Sequence, residues 1–260
     1  MNLDVIKEKF SLEGQTALIT GSGRGIGRGL AIALAKAGAD IVVVDIIEEN
    51  VWETARSLGS TVGIKAHPYV ADLSKIGMIP KYVEEIVDKC KKIDILINNA
   101  GIQIRKPALE FTIEEWNKVI TIHLTVSFAM AQAIVPEMIK RGGGKIINIV
   151  SLNSVMAVPH IMAYVAAKSG VAGLTRSMAV EWSQYNIRAN AIGPGFCRTE
   201  LTEKLLSDQE KMKWVMGRIP MKRLAEPEND LGYVAVFLSS NASSYITGQT
   251  IFVDGGWLAS

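Results

Sequence analysis

Thr16-Ala-Leu-Ile-Thr20 runs directly into Gly21-Ser22-Gly23-Arg24-Gly25-Ile26-Gly27-Arg28, and the join between them decides the fold. The first five residues make a short apolar run of the kind buried parallel strands carry. The glycines after it suit a tight turn whose backbone visits positive φ, where a Cβ is costly. From Gly25 a helical pattern continues to about residue 37. Strand, glycine turn and helix in that order offer a phosphate both free backbone N–H groups and the positive end of a helix dipole. Gly27 would let the helix lie close to the strand. The turn alone is weak evidence, since a glycine-rich loop can also serve without a ligand. The flanking strand and helix supply the context that a dinucleotide-binding turn requires.

The same alternation continues outward. Further apolar runs lie at Ile41–Asp45, Ile64–Val70, Ile93–Ile97, Lys145–Val150, Ile187–Ile192 and Thr250–Val253. Helical patterns fall near 25–37, 48–58, 75–91, 114–140, 161–184 and 227–239. Strand–helix alternation repeated this often specifies an α/β fold, a doubly wound parallel sheet with helices on both faces. Residues 196–220 break the rhythm: they are polar and helix-like, and read as an inserted flap at about 196–220 within a single domain spanning 1–260.

Composition narrows the class. Of the 260 residues, 48% are hydrophobic, enough for a sizeable core. A formal charge of +2 is too balanced to point to nucleic acid or an anionic membrane. Met1 to Phe10 lacks the apolar core of a secretory signal. No apolar stretch is read as reaching the roughly eighteen residues of a membrane span. Cys90 and Cys197 form no framework, which suits a reducing cytoplasm, and His67, His123 and His160 have no metal-ligand spacing. The partner expected is therefore a small molecule, with no metal, nucleic acid or membrane.

Asp45 ends the second run about twenty residues past the glycines, where a carboxylate binds the adenosine ribose hydroxyls and repels a 2′-phosphate. Arg24 argues the other way, since a guanidinium in the turn can pair with that phosphate. Asp45 would lie beside the ribose in either case, so NAD is expected, with NADP possible. Asp72-Leu73, Asn98-Asn99-Ala100-Gly101, Pro194-Gly195 and Thr199 follow later strands. They collect at the carboxyl ends, where open α/β sheets bind ligands.

Tyr164 and Lys168 stand four residues apart in a helical segment, hence on one face, and Ser151 lies thirteen residues upstream of Tyr164. A phenol beside an ammonium ionises more easily. The three together suit proton transfer at a carbonyl or an alcohol.

In sum these motifs resemble the short-chain dehydrogenase/reductase family, in its compact single-domain branch, from about Leu12 to Trp257: Thr20-Gly-x-x-x-Gly-x-Gly27, Asp72, Asn98-Asn-Ala-Gly101, Ser151, Tyr164-x-x-x-Lys168 and Pro194-Gly195. The resemblance implies a seven-stranded Rossmann-type sheet and an NAD(P)-dependent oxidoreductase. Tyr164 would be the general acid/base, and Ser151 would orient the substrate oxygen. Lys168 would bind the nicotinamide ribose and lower the Tyr164 pKa. A free tyrosine titrates at roughly 10, and reaching 7 needs about 4 kcal/mol of differential stabilisation. An oxidised nicotinamide and Lys168 together are two cations able to supply it. Family members are commonly homotetramers, and Val253-Asp-Gly-Gly-Trp257 looks like their interface-forming end. Where this chain has His123, many relatives carry an asparagine that helps hold a proton-relay water. His123 either preserves that relay or is a packed helix histidine.

Asn-Asn-Ala-Gly-Ile-Gln-Ile-Arg-Lys-Pro (98–107), Gly144-Lys-Ile-Ile-Asn-Ile and Val-Asp-Gly-Gly-Trp-Leu-Ala (253–259) are similar to sugar-acid members of the gluconate and 2-deoxygluconate type. Arg105 and Lys106 follow on a loop where a guanidinium would hold a carboxylate bidentately, or form a solvated basic loop. Asn153 stands with Ser151 and Tyr164 as a substrate contact. A β-ketoacyl-carrier reductase, a neutral polyol or ketone dehydrogenase and a non-catalytic dinucleotide sensor are the competing readings. Asp45 and the balanced charge count against the first, and the intact Ser151, Tyr164 and Lys168 against the last.

Overall fold

A computed structural model describes residues 3–260; Met1 and Asn2, part of the N-terminal reading above, lie outside the described residues. Seven strands, β1 (Thr16–Thr20), β2 (Asp40–Asp45), β3 (Ala66–Val70), β4 (Ile95–Asn98), β5 (Gly144–Ile149), β6 (Ile187–Pro194) and β7 (Thr250–Val253), form one sheet. Its order is β3-β2-β1-β4-β5-β6-β7, and every neighbouring pair is parallel. Order reverses between β1 and β4, so the crevice at their carboxyl ends is the place for a ligand.

Strand residues alternate between two buried faces. Ala17 and Ile19 join a core with Leu30 and Leu34 of α2 (Gly25–Lys36), Leu58 of α3 (Glu48–Val62) and Ala235 of the helix Tyr233–Ser239. Leu18, between them, faces the opposite core, with Val83 of α4 (Ile79–Cys90), Met130 and Ile134 of a long central helix, and Met178 of the helix Met162–Trp182. Each fully buried Leu or Ile contributes about 1.5–3 kcal/mol of transfer free energy. Burial on both faces explains why these strands read as continuous apolar runs rather than alternating ones.

The central helix departs from the sequence expectation in two ways. It consists of α5 (Ile113–Ile120), a π-helical turn (Thr121–Thr125) and α6 (Val126–Lys140). Its start is set by a reciprocal cap, the Thr112 hydroxyl accepting from Glu115 N–H and the Glu115 carboxylate from Thr112 N–H. By length and composition this helix is apolar enough to cross a membrane, contrary to the reading from sequence. Its apolar residues are instead spent on the sheet, since Val126, Met130, Ile134 and Met138 are buried there.

The remaining helices are α7 (Met162–Trp182), α8 (Glu200–Leu206), α9 (Gln209–Arg218) and α10 (Tyr233–Ser239). A π-helical turn (Pro227–Gly232) replaces the expected start of α10 at 227, where Gly29 and Gly232 let this segment and α2 approach closely. A short N-terminal helix, α1 (Leu3–Phe10), carries no motif and was not expected; Phe10 meets Phe237 at 6.2 Å.

Candidate active site

A cleft of about 1530 Å³ runs along the carboxyl ends of the strands and is lined by Asp45, Asp72, Arg105 and Trp214. The glycine turn forms its phosphate end. Gly21 has φ +64°, and a Cβ on Gly27 would lie 2.2 Å from the Gly21 carbonyl oxygen, so both glycines are sterically required. Asn99 clamps the turn through its amide nitrogen, which donates to the Thr20 and Gly21 carbonyls at 3.0 and 2.9 Å. Thr20 Oγ1 accepts from the Asn99 and Ala100 N–H groups, a contribution the sequence reading missed because threonine at a strand end has no distinctive spacing.

Asp45 is held ready. One carboxylate oxygen accepts from Gly23 N–H at 3.1 Å, and the other from Ile46 and Ile47 N–H at 2.8 and 3.2 Å. Arg24, extended at the N-cap of α2, pairs with Glu200 at the start of α8. Gly21, Arg24, Gly25, Ile26, Asp72, Leu73, Asn99, Ala100, Gly101, Pro194, Gly195 and Thr199 all line the cleft. Ser22, Gly23 and Gly27 stand behind that wall, within the turn itself. The Ser22 hydroxyl is fully buried, donating to Ile19 C=O and accepting from Val44 N–H, so it ties β1 to β2. The residues present fit a dinucleotide: glycines where a Cβ would close the cradle, a helix N-terminus and a fixed carboxylate one strand away.

Ser151 follows β5, and Tyr164 and Lys168 project from α7 into the same part of the cleft. Lys168 Nζ lies 5.6 Å from the centre of the Tyr164 ring and donates to Ile149 C=O at 2.6 Å. Burial drives the ammonium down to about 7. The sequence reading expects a depressed Tyr164 phenol. In the polypeptide the balance runs the other way, because burial raises it and outweighs the opposing pull of the Ser151 hydroxyl and the Arg105 guanidinium.

His123 sits in the π turn, 3% exposed, with its ring edge-to-face on Tyr164 at 5.1 Å between centres. Its Nε2 lies 2.8 Å from Ile102 C=O. Burial first, and Lys168 second, push the imidazole down to about 3, so it is neutral across the physiological range. Such a ring fits the packed alternative for His123 and carries one N–H and no positive charge at neutral pH.

Lys106 is engaged by Glu115 at 2.7 Å, whereas no ion pair found among the described residues includes Arg105. Asn153 N–H donates to Ser151 Oγ at 3.1 Å. Asn153 and Gln103 line the cleft, and each retains one amide atom without a protein partner. In the 196–220 segment Met212 and Met216 pack inward with Leu152 and Val215, while Trp214 lines the cleft. Trp257, read from sequence as part of an interface-forming end, is 5% exposed and lies under this segment, 5.0 Å from Phe196 and 5.5 Å from Trp214.

A family profile for enoyl-(acyl carrier protein) reductase matches residues 21–258. The chain belongs to the short-chain dehydrogenase/reductase family, whose members are NAD(P)-dependent oxidoreductases acting on CH–OH groups. It is 44% identical to 2-dehydro-3-deoxy-D-gluconate 5-dehydrogenase of Dickeya dadantii (strain 3937), over 98% of this chain and 100% of that one. It is 41% identical to 5-keto-D-gluconate 5-reductase of Escherichia coli (strain K12), over 97% and 99% of the two chains. The structure of a gluconate 5-dehydrogenase from Burkholderia cenocepacia J2315, in complex with NADP and tartrate, superposes with a TM-score of 0.94 at 41% identity, covering 98% of this chain and 99% of that one.

Proposed function

We propose that this chain interconverts a secondary alcohol and a ketone on a sugar acid of the gluconate and ketogluconate type, with NAD as preferred cofactor and NADP also accepted. The observation that carries the substrate class is Arg105. It is a cation on the cleft wall with no carboxylate partner among the described ion pairs, close enough to act electrostatically on Tyr164. A guanidinium there holds a carboxylate bidentately. The unpartnered amide atoms of Gln103 and Asn153 add a donor and an acceptor suited to hydroxyls. The relatives' sugar-acid substrates support the same reading.

In the reducing direction the Tyr164 hydroxyl donates its proton to the substrate oxygen as negative charge develops there, and Ser151 donates a hydrogen bond to the same atom. In the oxidising direction Tyr164 takes that proton back. Lys168, 5.6 Å from the ring, favours the phenolate when protonated. The dinucleotide supplies or accepts the hydride. Asp45 and the glycine turn hold its ribose and phosphates, while Pro194, Gly195 and Thr199 flank the nicotinamide end. His123 positions the Tyr164 ring rather than relaying protons. Residues 1–260 act as one domain, with 196–220 as a flap that excludes water when closed. Its two free cysteines suit the cytoplasm.

The test is a kinetic screen of sugar acids, neutral polyols and simple ketones with both cofactors. Arg105→Ala should raise KM for an acidic sugar at least tenfold, on the order expected for a lost charged pair, and alter KM for a neutral polyol far less. Equal effects on both would remove the carboxylate assignment, and preferred turnover of a β-ketoacyl thioester with NADPH would reverse the substrate class.

A further inference from the structure

We propose that Glu200, acting through Arg24, sets how strongly the enzyme discriminates between NAD and NADP. The inference rests on the dinucleotide-dependent reading of the cleft. Arg24 leaves the glycine turn directly after Gly23, whose N–H is bound by Asp45. Its backbone is extended, with φ −157° and ψ 178°, and its side chain makes no cap hydrogen bond to the helix. Glu200 is the first residue of α8 and meets the guanidinium across the open side of the cleft. The contact between the two segments is close at the backbone as well, because the Thr199 methyl lies 3.6 Å from the position of a Cβ on Gly25.

Two charges therefore face the 2′ position of an adenosine ribose held at the turn. Asp45 is fixed there by three N–H groups and repels a phosphate. Arg24 is the cation able to offset that repulsion, and Glu200 competes for it. A 2′-phosphate that recruits Arg24 must take it from Glu200, which also unfastens the start of α8 from the glycine turn. NAD makes no such demand and leaves the pair intact. Because both side chains are about half exposed, the competition is modest: an exposed ion pair shifts an equilibrium by roughly twofold to fivefold.

The experiment measures Kd for NADH and NADPH by nicotinamide fluorescence, and kcat/KM with each, in the wild type, Glu200→Gln, Arg24→Gln and the double variant. Glu200→Gln should tighten NADPH about threefold to fivefold relative to NADH, and Arg24→Gln should weaken NADPH. In the Arg24→Gln background the Glu200 substitution should have no further effect on the ratio. An unchanged NADPH/NADH ratio in Glu200→Gln overturns the proposal. So does an equal gain in the Arg24→Gln background, which would mean that Glu200 acts on the phosphate directly rather than through Arg24. Binding of neither dinucleotide by the wild type would instead remove the oxidoreductase reading itself.

Discussion

Tyr164 combines two demands that pull against each other. It must be shielded from water to transfer a proton to one chosen atom, and that same burial holds its phenol above the ordinary tyrosine range. Alcohol oxidation needs the ionised phenol, so the rate should rise with pH through neutrality and above, while ketone reduction, which needs the protonated form, should fall over the same window. Tyr164→Phe should lower kcat about 10²–10⁴-fold in both directions, erase that opposing pH dependence and leave Kd for NADH within a few fold. Substantial residual turnover with the wild-type pH profile would take the proton-transfer role away from this residue. The charge balance has two parts: the lowering expected from sequence rests on an oxidised nicotinamide beside Lys168, while the polypeptide by itself raises the phenol. Spacing put Lys168 one turn from Tyr164, but the sign of the shift depends on how dry the site is, and dryness is set by residues far away in the chain.

The central helix shows how an irregular element carries function. Its π turn at Thr121–Thr125 places the His123 ring between the Gly101–Ile102 loop and Tyr164. Gly101 is required by that ring: a Cβ there would lie 2.3 Å from His123 Cε1. Gly101→Ala should therefore destabilise the protein by about 1–3 kcal/mol through overpacking. Combined with His123→Ala it should cost less than the sum of the two single changes, as read from urea midpoints in a double-mutant cycle. Simple additivity would mean the contact is not the reason for the glycine. Asn-Asn-Ala-Gly was legible as a motif, yet its partner 22 residues on was not: a helical pattern gives no sign of an extra residue inserted into one turn.

The whole molecule leaves apolar surface uncovered. Phe128 on α6 and Val180 on α7 are 43% and 85% exposed, and Tyr245 is fully exposed. Such side chains suit burial between subunits, and the homotetramer expected from the family resemblance predicts four times the 28.2 kDa chain mass by size-exclusion chromatography with light scattering; a monomer at micromolar concentration would refute it. The alternation of strands and helices, the glycine turn, Asp45, Ser151, Tyr164 and Lys168 were all legible in the chain itself. Each rests on a local pattern: an apolar run, a backbone needing no Cβ, or two residues one helical turn apart. What tertiary structure alone decided lies between distant segments. Glu115 neutralises Lys106 and leaves Arg105 available, Glu200 reaches Arg24 across the cleft, and Trp257 turns inward under the flap rather than outward. Charge pairing and burial depend on which segments meet, and a parallel sheet brings together residues far apart in the chain, as Arg24 and Glu200 are at 176 positions.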